Sequence, residues 1–475
     1  MMTRRSYHFG NYFPLPAIAR QHGYHWFVVG TVCIGAFMAA LDASIVSVAL
    51  PTLQSEFHTS MAHIEWVSLV YLLTLAALIV PFGRLSDMVG RRWMYTLGFT
   101  VFLVGSYLCA TSQTLIELLV FRAIQGTGAA LLQANSVSLI TAATPYADRG
   151  KAIGIQAFAQ GLGLCLGPFL GGLLVHVASW TSIFYINVPI GIMGTIIGIC
   201  LLPRQAKVLK QTHFDFLGAI FLAITLVATM YVLKEGLQPG VSTLWMCVLI
   251  GVIVLFSVLF WTTEQRQEMP LIDLSYIRQR SIWLGNLTGL LSFSVMYAVT
   301  LLGPFWLIHG RGMTSLSAGL YLCVIPAGMA LFTPLSGFLA DHIPNHVLTR
   351  SGMALAGTGC LLLAIAPSFI PLFLIGAFLV GCGLGTFTPP NNSRVMSMTP
   401  PEHLGVAGSI LNMSRTIGMG FGVTVGGVSQ DIFLRLFGKA DLLPAFRGSF
   451  LVSALLAIAT LLLLLVNRNT PSTQE

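Results

Sequence analysis

The stretch IELLVFRAIQGTGAALLQA (116–134) sets an arginine, Arg122, among apolar and small residues in a segment long enough to cross a bilayer. A guanidinium in hydrocarbon costs about 2.5–3.5 kcal/mol on insertion scales, so a chain that keeps one there gives it a partner and a use. The best-placed partner is Asp42 in LDASIVSVALP (41–51), the only carboxylate predicted deep within any span. Counted from the predicted span ends at 1.5 Å per residue, Asp42 and Arg122 lie about 12 and 14 Å below the same membrane face. The pair is therefore expected to meet, directly or through water.

Working outward, 55% of the 475 residues are hydrophobic and 8% are charged, against about 25% charged in a soluble domain. Charge-free runs at 152–203 and 351–393 exceed the roughly 20 residues that one helix needs, so each holds two spans. A β-barrel would alternate polar and apolar residues and is excluded. The predicted spans are 26–50, 64–82, 93–111, 113–137, 151–176, 182–202, 215–234, 242–262, 283–308, 315–340, 347–366, 369–393, 403–430 and 446–466. The class is an all-α polytopic membrane protein. Eight cysteines, all within spans, show no metal-ligand spacing, so no metal site is expected.

With both termini in the cytoplasm, 17 of the 24 Lys and Arg fall on the inner side and 5 on the outer. This positive-inside bias predicts a multi-pass protein of the cell membrane, or of the inner membrane where there are two. It also accounts for the net charge of +8 as a basic face toward anionic lipid, with no nucleic-acid partner.

The chain repeats itself. GRLSD (83–87) returns as GFLAD (337–341); Gly163, Gly167, Gly171 and Gly172 return as Gly418, Gly422, Gly426 and Gly427; Gly126 and Gly128 return as Gly381 and Gly383. A nearly constant offset predicts two pseudo-symmetric six-helix bundles, 26–202 and 283–466, with two inserted helices and their flanking loops at 203–282. Residues 1–25 and 467–475 are left as cytoplasmic segments. Parallel repeats of this kind form transporters with a site at their interface. No H-E-x-x-H, G-x-S-x-G or phosphate-loop pattern is present, so no catalytic residue and no enzyme is predicted.

At these residues a resemblance appears. GRLSDMVGRRWMY (83–95), FRAIQGTG (121–128) and GLGLCLGPFLGG (161–172) resemble the span-two loop, span-four arginine and span-five motifs of the major facilitator superfamily. LDASIVSVALP (41–51), SWTSIFYINVPIG (179–191) and FDFLGAI (214–220) are similar to signatures of its fourteen-span drug:proton antiporter branch. The resemblance implies the major facilitator fold, multidrug efflux, and energy from a proton gradient with no bound cofactor. It also implies that Asp87 and its neighbours Gly83, Gly90, Arg91 and Arg92, with Gly337 and Asp341 in the repeat, latch the halves in an outward-facing state.

The individual residues carry their own chemistry. Gly163, Gly167 and Gly171 form a flat strip for close helix approach, beside Pro168, and are expected to act as a gasket or hinge between the halves. Asp42 is the candidate protonation site and Arg122 its counter-ion. Arg415, whose repeat partner is Gln160, is the second cation within a span, and both are expected to face a central cavity. Phe37, Met38, Tyr71, Phe158, Phe293, Tyr297, Tyr321 and Met413 are candidates for its greasy lining. Glu65, Glu117 and Asp431, near outer span ends, are expected at the water interface. The expected function is proton-coupled export of amphipathic small molecules by alternating access. A proton-coupled importer or facilitator of a specific metabolite is the rival, and small-molecule cargo, protons and lipid are the expected partners.

Overall fold

Helical repeats of apolar residues leave every backbone polar group bonded within its own segment, which is what a lipid environment demands. The computed structural model describes residues 23–145, 148–203, 214–236, 242–267, 271, 279–340, 342–365, 367–399, 404–438 and 442–466. Among them no strand occurs, and fourteen helices are long and apolar enough to cross a membrane. We number them α1 Tyr24–Glu56, α2 Met61–Val89, α3 Arg91–Thr111, α4 Leu115–Ala143, α5 Lys151–Val177, α6 Ser182–Leu201, α7 Phe216–Glu235, α8 Thr243–Arg266, α9 Arg280–Gly310, α10 Ser315–Leu339, α11 Asn345–Ile365, α12 Ile370–Ser397, α13 Ala407–Phe437 and α14 Leu442–Val466. Several run past the predicted spans, because polar turns extend the helices at their ends. The end of the bundle where α1 begins is called the near end, the opposite one the far end.

Local signals place the boundaries. Thr114 and Glu117 cap α4 reciprocally: the Glu117 amide donates to Thr114 Oγ1 at 3.2 Å and the Thr114 amide donates to Glu117 Oε2 at 3.3 Å. Glu117 thus sits at an exposed helix start, as expected. Gly90, at φ +116°, makes the turn from α2 to α3, a conformation that a side chain would strain.

The glycine repeats become packing. In the first six helices α5 lies along α1, and α4 lies against α2 and α3; in the last six, α13 lies along α9, and α12 against α10 and α11. A side-chain carbon at Gly163 would meet Leu41 N at 3.0 Å, and one at Gly171 would meet Ile45 O at 2.7 Å, both on α1. In the second set Gly418 and Gly422 lie against Leu290 and Ser294 of α9. The hydroxyls of Ser44 and Ser294 complete the match, donating to Gly163 O at 3.3 Å and Gly418 O at 2.9 Å. The strip predicted to work between the halves therefore packs within one of them. Small residues recur at i and i+4 wherever two helices of one set touch, so spacing alone does not name the partner helix.

Contact across the two sets is made by the fourth glycine of each group. A side-chain carbon at Gly172 would come within 3.2 Å of Leu316 Cα and Gly319 Cα on α10, and Gly427 on α13 lies directly over the Glu65 carboxylate on α2. Both seams are at the far end. At the near end the corresponding approach is looser: a side-chain carbon at Gly83 would stand at ordinary contact distance, 3.7 Å, from Ser409 Oγ.

The inserted hairpin lies outside this arrangement. α7 packs on α2 and α13, α8 packs on α7, and none of the apolar window of α8 is buried. Two contacts fasten α7 at the far end: Lys234 pairs with Glu65, and Trp66 Nε1 donates to Glu235 Oε1 at 3.1 Å. Glu65 and Lys234 are both buried, so the expected exposed role for Glu65 is corrected. Its position at a span end suggests access to water, but α7 and α13 cover it.

Candidate functional site

The sequence FRAIQ puts Arg122 and Gln125 three residues apart, on one face of α4. That face points into the first six helices. Arg122 Nη1 donates to Asp42 Oδ2 at 2.6 Å and to Gln125 Oε1 at 2.5 Å, while its Nε donates to Val67 O at 3.0 Å. The other carboxylate oxygen, Asp42 Oδ1, accepts from Gln125 Nε2 at 2.8 Å and from Asn187 Nδ2 of α6 at 3.0 Å. Gln125 Nε2 also reaches Ser106 Oγ of α3 at 2.7 Å. Asp42 is 0% exposed and Arg122 1%. A buried charge pair is tolerated when its remaining lone pairs and protons are satisfied in this way.

Aromatic faces close the site. The Arg122 guanidinium carbon lies 4.3 Å from the Tyr71 ring centroid and 5.8 Å from that of Phe184. The Tyr71 hydroxyl donates to Ala39 O at 3.2 Å.

The predicted meeting of Asp42 and Arg122 is thus found, but its setting differs. The pair is enclosed by α1, α2, α4 and α6 and does not sit in an open chamber between the two sets. Gln125 and Asn187 were not among the predicted site residues. Gln125 had a signal in its spacing from Arg122; Asn187 is distant in sequence, and only the folding of α6 back onto α1 brings it in.

Two clefts lie nearby. One, with room for little more than a water molecule, is lined by Ser44 and Ser47 of α1, Leu164 and Pro168 of α5, Met296, Tyr297 and Thr300 of α9, and Leu322, Ile325 and Pro326 of α10. It runs between the two sets. The other, narrower still, is lined by Asn286, Gly289 and Phe293 of α9, Phe387, Thr388, Asn391 and Asn392 of α12, and Leu411, Ser414 and Arg415 of α13. Tyr71 and Tyr297 are within electrostatic reach of each other, as are Tyr297 and Arg415.

The predicted cavity residues divide accordingly. Phe293, Tyr297 and Arg415 line the clefts and Tyr71 covers Arg122. Met38 is wholly buried in the core and Phe158 is 66% exposed. Phe37 presents its backbone carbonyl to Gly163. Tyr321 and Met413 pack against core clusters. Gln160, expected to face a central cavity, is partly buried and lines neither of these clefts. For these residues the hydropathy pattern carried no facing information.

The near-end loop makes bonds within the first six helices. Arg91 pairs with Asp87 at 2.8 Å and reaches Ser138 O at 3.4 Å; Arg92 Nη2 donates to Ile199 O at 2.6 Å. These contacts hold α2, α3, α4 and α6 together. Gly126 lies against Tyr71 O of α2. Gly337 is exposed at the near end of α10, and Asp341 lies outside the described residues.

A duplicated six-helix architecture, with a buried acid and base in one set and a cleft along the seam, defines a polytopic membrane transporter and not an enzyme. The chain belongs to the major facilitator superfamily, whose family model matches residues 32–423 and 288–475. It is 35% identical over 84% of its length to the riboflavin transporter RibZ of Clostridioides difficile, covering 86% of that protein. It is 32% identical to the multidrug resistance protein Stp of Mycobacterium tuberculosis, over 83% of this chain and 74% of the relative. The tetracenomycin C resistance and export protein of Streptomyces glaucescens is 28% identical, over 88% of this chain and 79% of that one. The fold is similar to that of the human organic anion transporter MFSD10, with a TM-score of 0.65 at 16% identity, over 94% of this chain and 100% of that chain.

Proposed function

We propose that the protein is a proton-coupled secondary transporter that exports amphipathic, drug-like small molecules by alternating access, with Asp42 as the proton-carrying group and Arg122 as its counter-ion. The observation that carries this reading is the Asp42 carboxylate, 0% exposed and held by Arg122, Gln125 and Asn187, which all donate to it. Such a shell is matched to an anion. A proton on Asp42 leaves Arg122 without its charge partner and sets donor against donor, so the packing of α1, α4 and α6 depends on proton occupancy. Tyr71 carries that dependence toward Tyr297 and the seam. Because the pair is enclosed, proton entry requires these helices to part, which links the proton step to the conformational one.

Export is supported by the relatives named for drug resistance and by the tetracenomycin exporter. The similarity to a riboflavin transporter favours a second reading, a carrier of a specific metabolite. Purified protein in proteoliposomes under an imposed proton gradient separates them. Export by antiport predicts proton flux opposite to a panel of dyes, and an Asp42→Asn protein that equilibrates the dyes but no longer concentrates them. Uphill transport by Asp42→Asn with unchanged pH dependence would remove the proposed role.

A further inference from the structure

Arg122 and Arg415, two cations deep within the spans, are treated differently by the fold. Arg122 is matched by Asp42 and buried at 1% exposure. Arg415 stands eight residues inside α13, about 12 Å from its near end, and among the described residues no carboxylate is paired with it. Its guanidinium carbon lies 5.1 Å from the Phe293 ring centroid, and a ring face offsets only part of a cation's desolvation. The rest of its surroundings is a cleft rich in neutral polar groups: Asn286, Asn391, Asn392, Thr388 and Ser414, between the rings of Phe293 and Phe387.

Part of that polar set is already braced. Ser414 Oγ donates to Asn286 Oδ1 at 3.2 Å, and Asn391 Nδ2 donates to Gly285 O at 3.0 Å. One turn along α9, the Tyr297 hydroxyl is buried without a hydrogen-bond partner, within electrostatic reach of Arg415. A cation with no paired acid thus faces this cleft, and a buried hydroxyl with no partner faces the neighbouring one. An intramembrane charge left in this condition is completed by what enters the cleft.

From this juxtaposition we infer that the cleft between α9, α12 and α13 is a cargo subsite for planar aromatic organic anions. The anionic group pairs with Arg415, neighbouring amides and hydroxyls orient it, and the ring system lies between Phe293 and Phe387 once α9 and α12 part to admit it. Arg415 is the specificity-determining residue. This rests on the reading of the protein as a small-molecule transporter and narrows the cargo it carries.

The test uses anthracene-9-carboxylate and the matched anthracene-9-carboxamide, with ethidium as a cationic control, in proteoliposomes holding wild-type, Arg415→Lys or Arg415→Gln protein. A charge-assisted contact implies that wild type prefers the carboxylate by roughly tenfold or more. Arg415→Gln loses that preference, transport of the carboxylate falling by roughly tenfold more than that of the carboxamide, and Arg415→Lys keeps part of it. Equal loss of both compounds in Arg415→Gln, or no change in the carboxylate, overturns the inference. So does wild type that carries ethidium and neither anthracene, which leaves the transporter reading standing. Transport of no probe of any charge, in either direction, ends both. A Ser414→Ala protein, which keeps the cation, checks that folding is intact: it is expected to retain the preference for the carboxylate at reduced affinity.

Discussion

The ring of Tyr71 lies over the Arg122 guanidinium at 4.3 Å, and its hydroxyl is bonded to the backbone of α1 at Ala39. One side chain of α2 therefore touches the cation on α4 and the helix that carries Asp42, while standing near Tyr297 of the second set. If Tyr71 transmits the proton state, Tyr71→Phe keeps the ring and loses one hydrogen bond, at about 1 kcal/mol. It is expected to transport nearly normally. Tyr71→Leu also loses the ring face and is expected to dissipate the proton gradient without concentrating cargo. Measuring proton flux and cargo flux together in each variant checks the difference.

With Gln125, Asn187 is one of two neutral donors to Asp42. Replacing it by Ala removes a hydrogen bond to a charged acceptor, which contributes about 1.5–3 kcal/mol, and leaves the charge pair in place. The expected outcome is a lower melting temperature of the purified protein and a displaced pH profile of transport, with uphill transport retained. A pH profile identical to wild type would show that Asn187 does not bear on the acid.

Within one helix, Gly161 and Gly163 make opposite predictions. A side-chain carbon at Gly161 meets nothing within 4 Å, whereas at Gly163 it meets Leu41 N at 3.0 Å on α1. Gly161→Ala is expected to leave stability unchanged, and Gly163→Val to lower it by about 1–3 kcal/mol through overpacking. Thermal unfolding followed by size exclusion distinguishes them, and equal effects would show that the strip is not a contact surface.

The Glu65–Lys234 pair ties the inserted helix α7 to the seam between α2 and α13. Removing one partner, as in Lys234→Met, leaves a buried carboxylate uncompensated and is expected to cost about 3–5 kcal/mol. The double variant Glu65→Leu/Lys234→Met is expected to be more stable than the single one, since no charge is then stranded. Additive losses in a double-mutant cycle would mean that the two side chains do not interact.

Hydropathy, Lys/Arg bias and the internal repeat were enough to define fourteen spans and a facilitator-type fold, because in lipid each helix must satisfy its own backbone and betrays its length in its composition. The depth of Asp42 and Arg122 could likewise be counted along the chain, and the two side chains meet. Which helix faces which was not legible. Small residues at a spacing of four permit close approach without naming the partner, so the strip at Gly163, Gly167 and Gly171 proved to bind α1 and only Gly172 reaches the other set. Asn187 joined the acid, Lys234 buried Glu65, and Arg415 was left beside a narrow polar cleft, all through contacts between segments far apart in sequence. Those pairings are set by how helices pack side by side, and side-by-side packing exists only once the tertiary structure does.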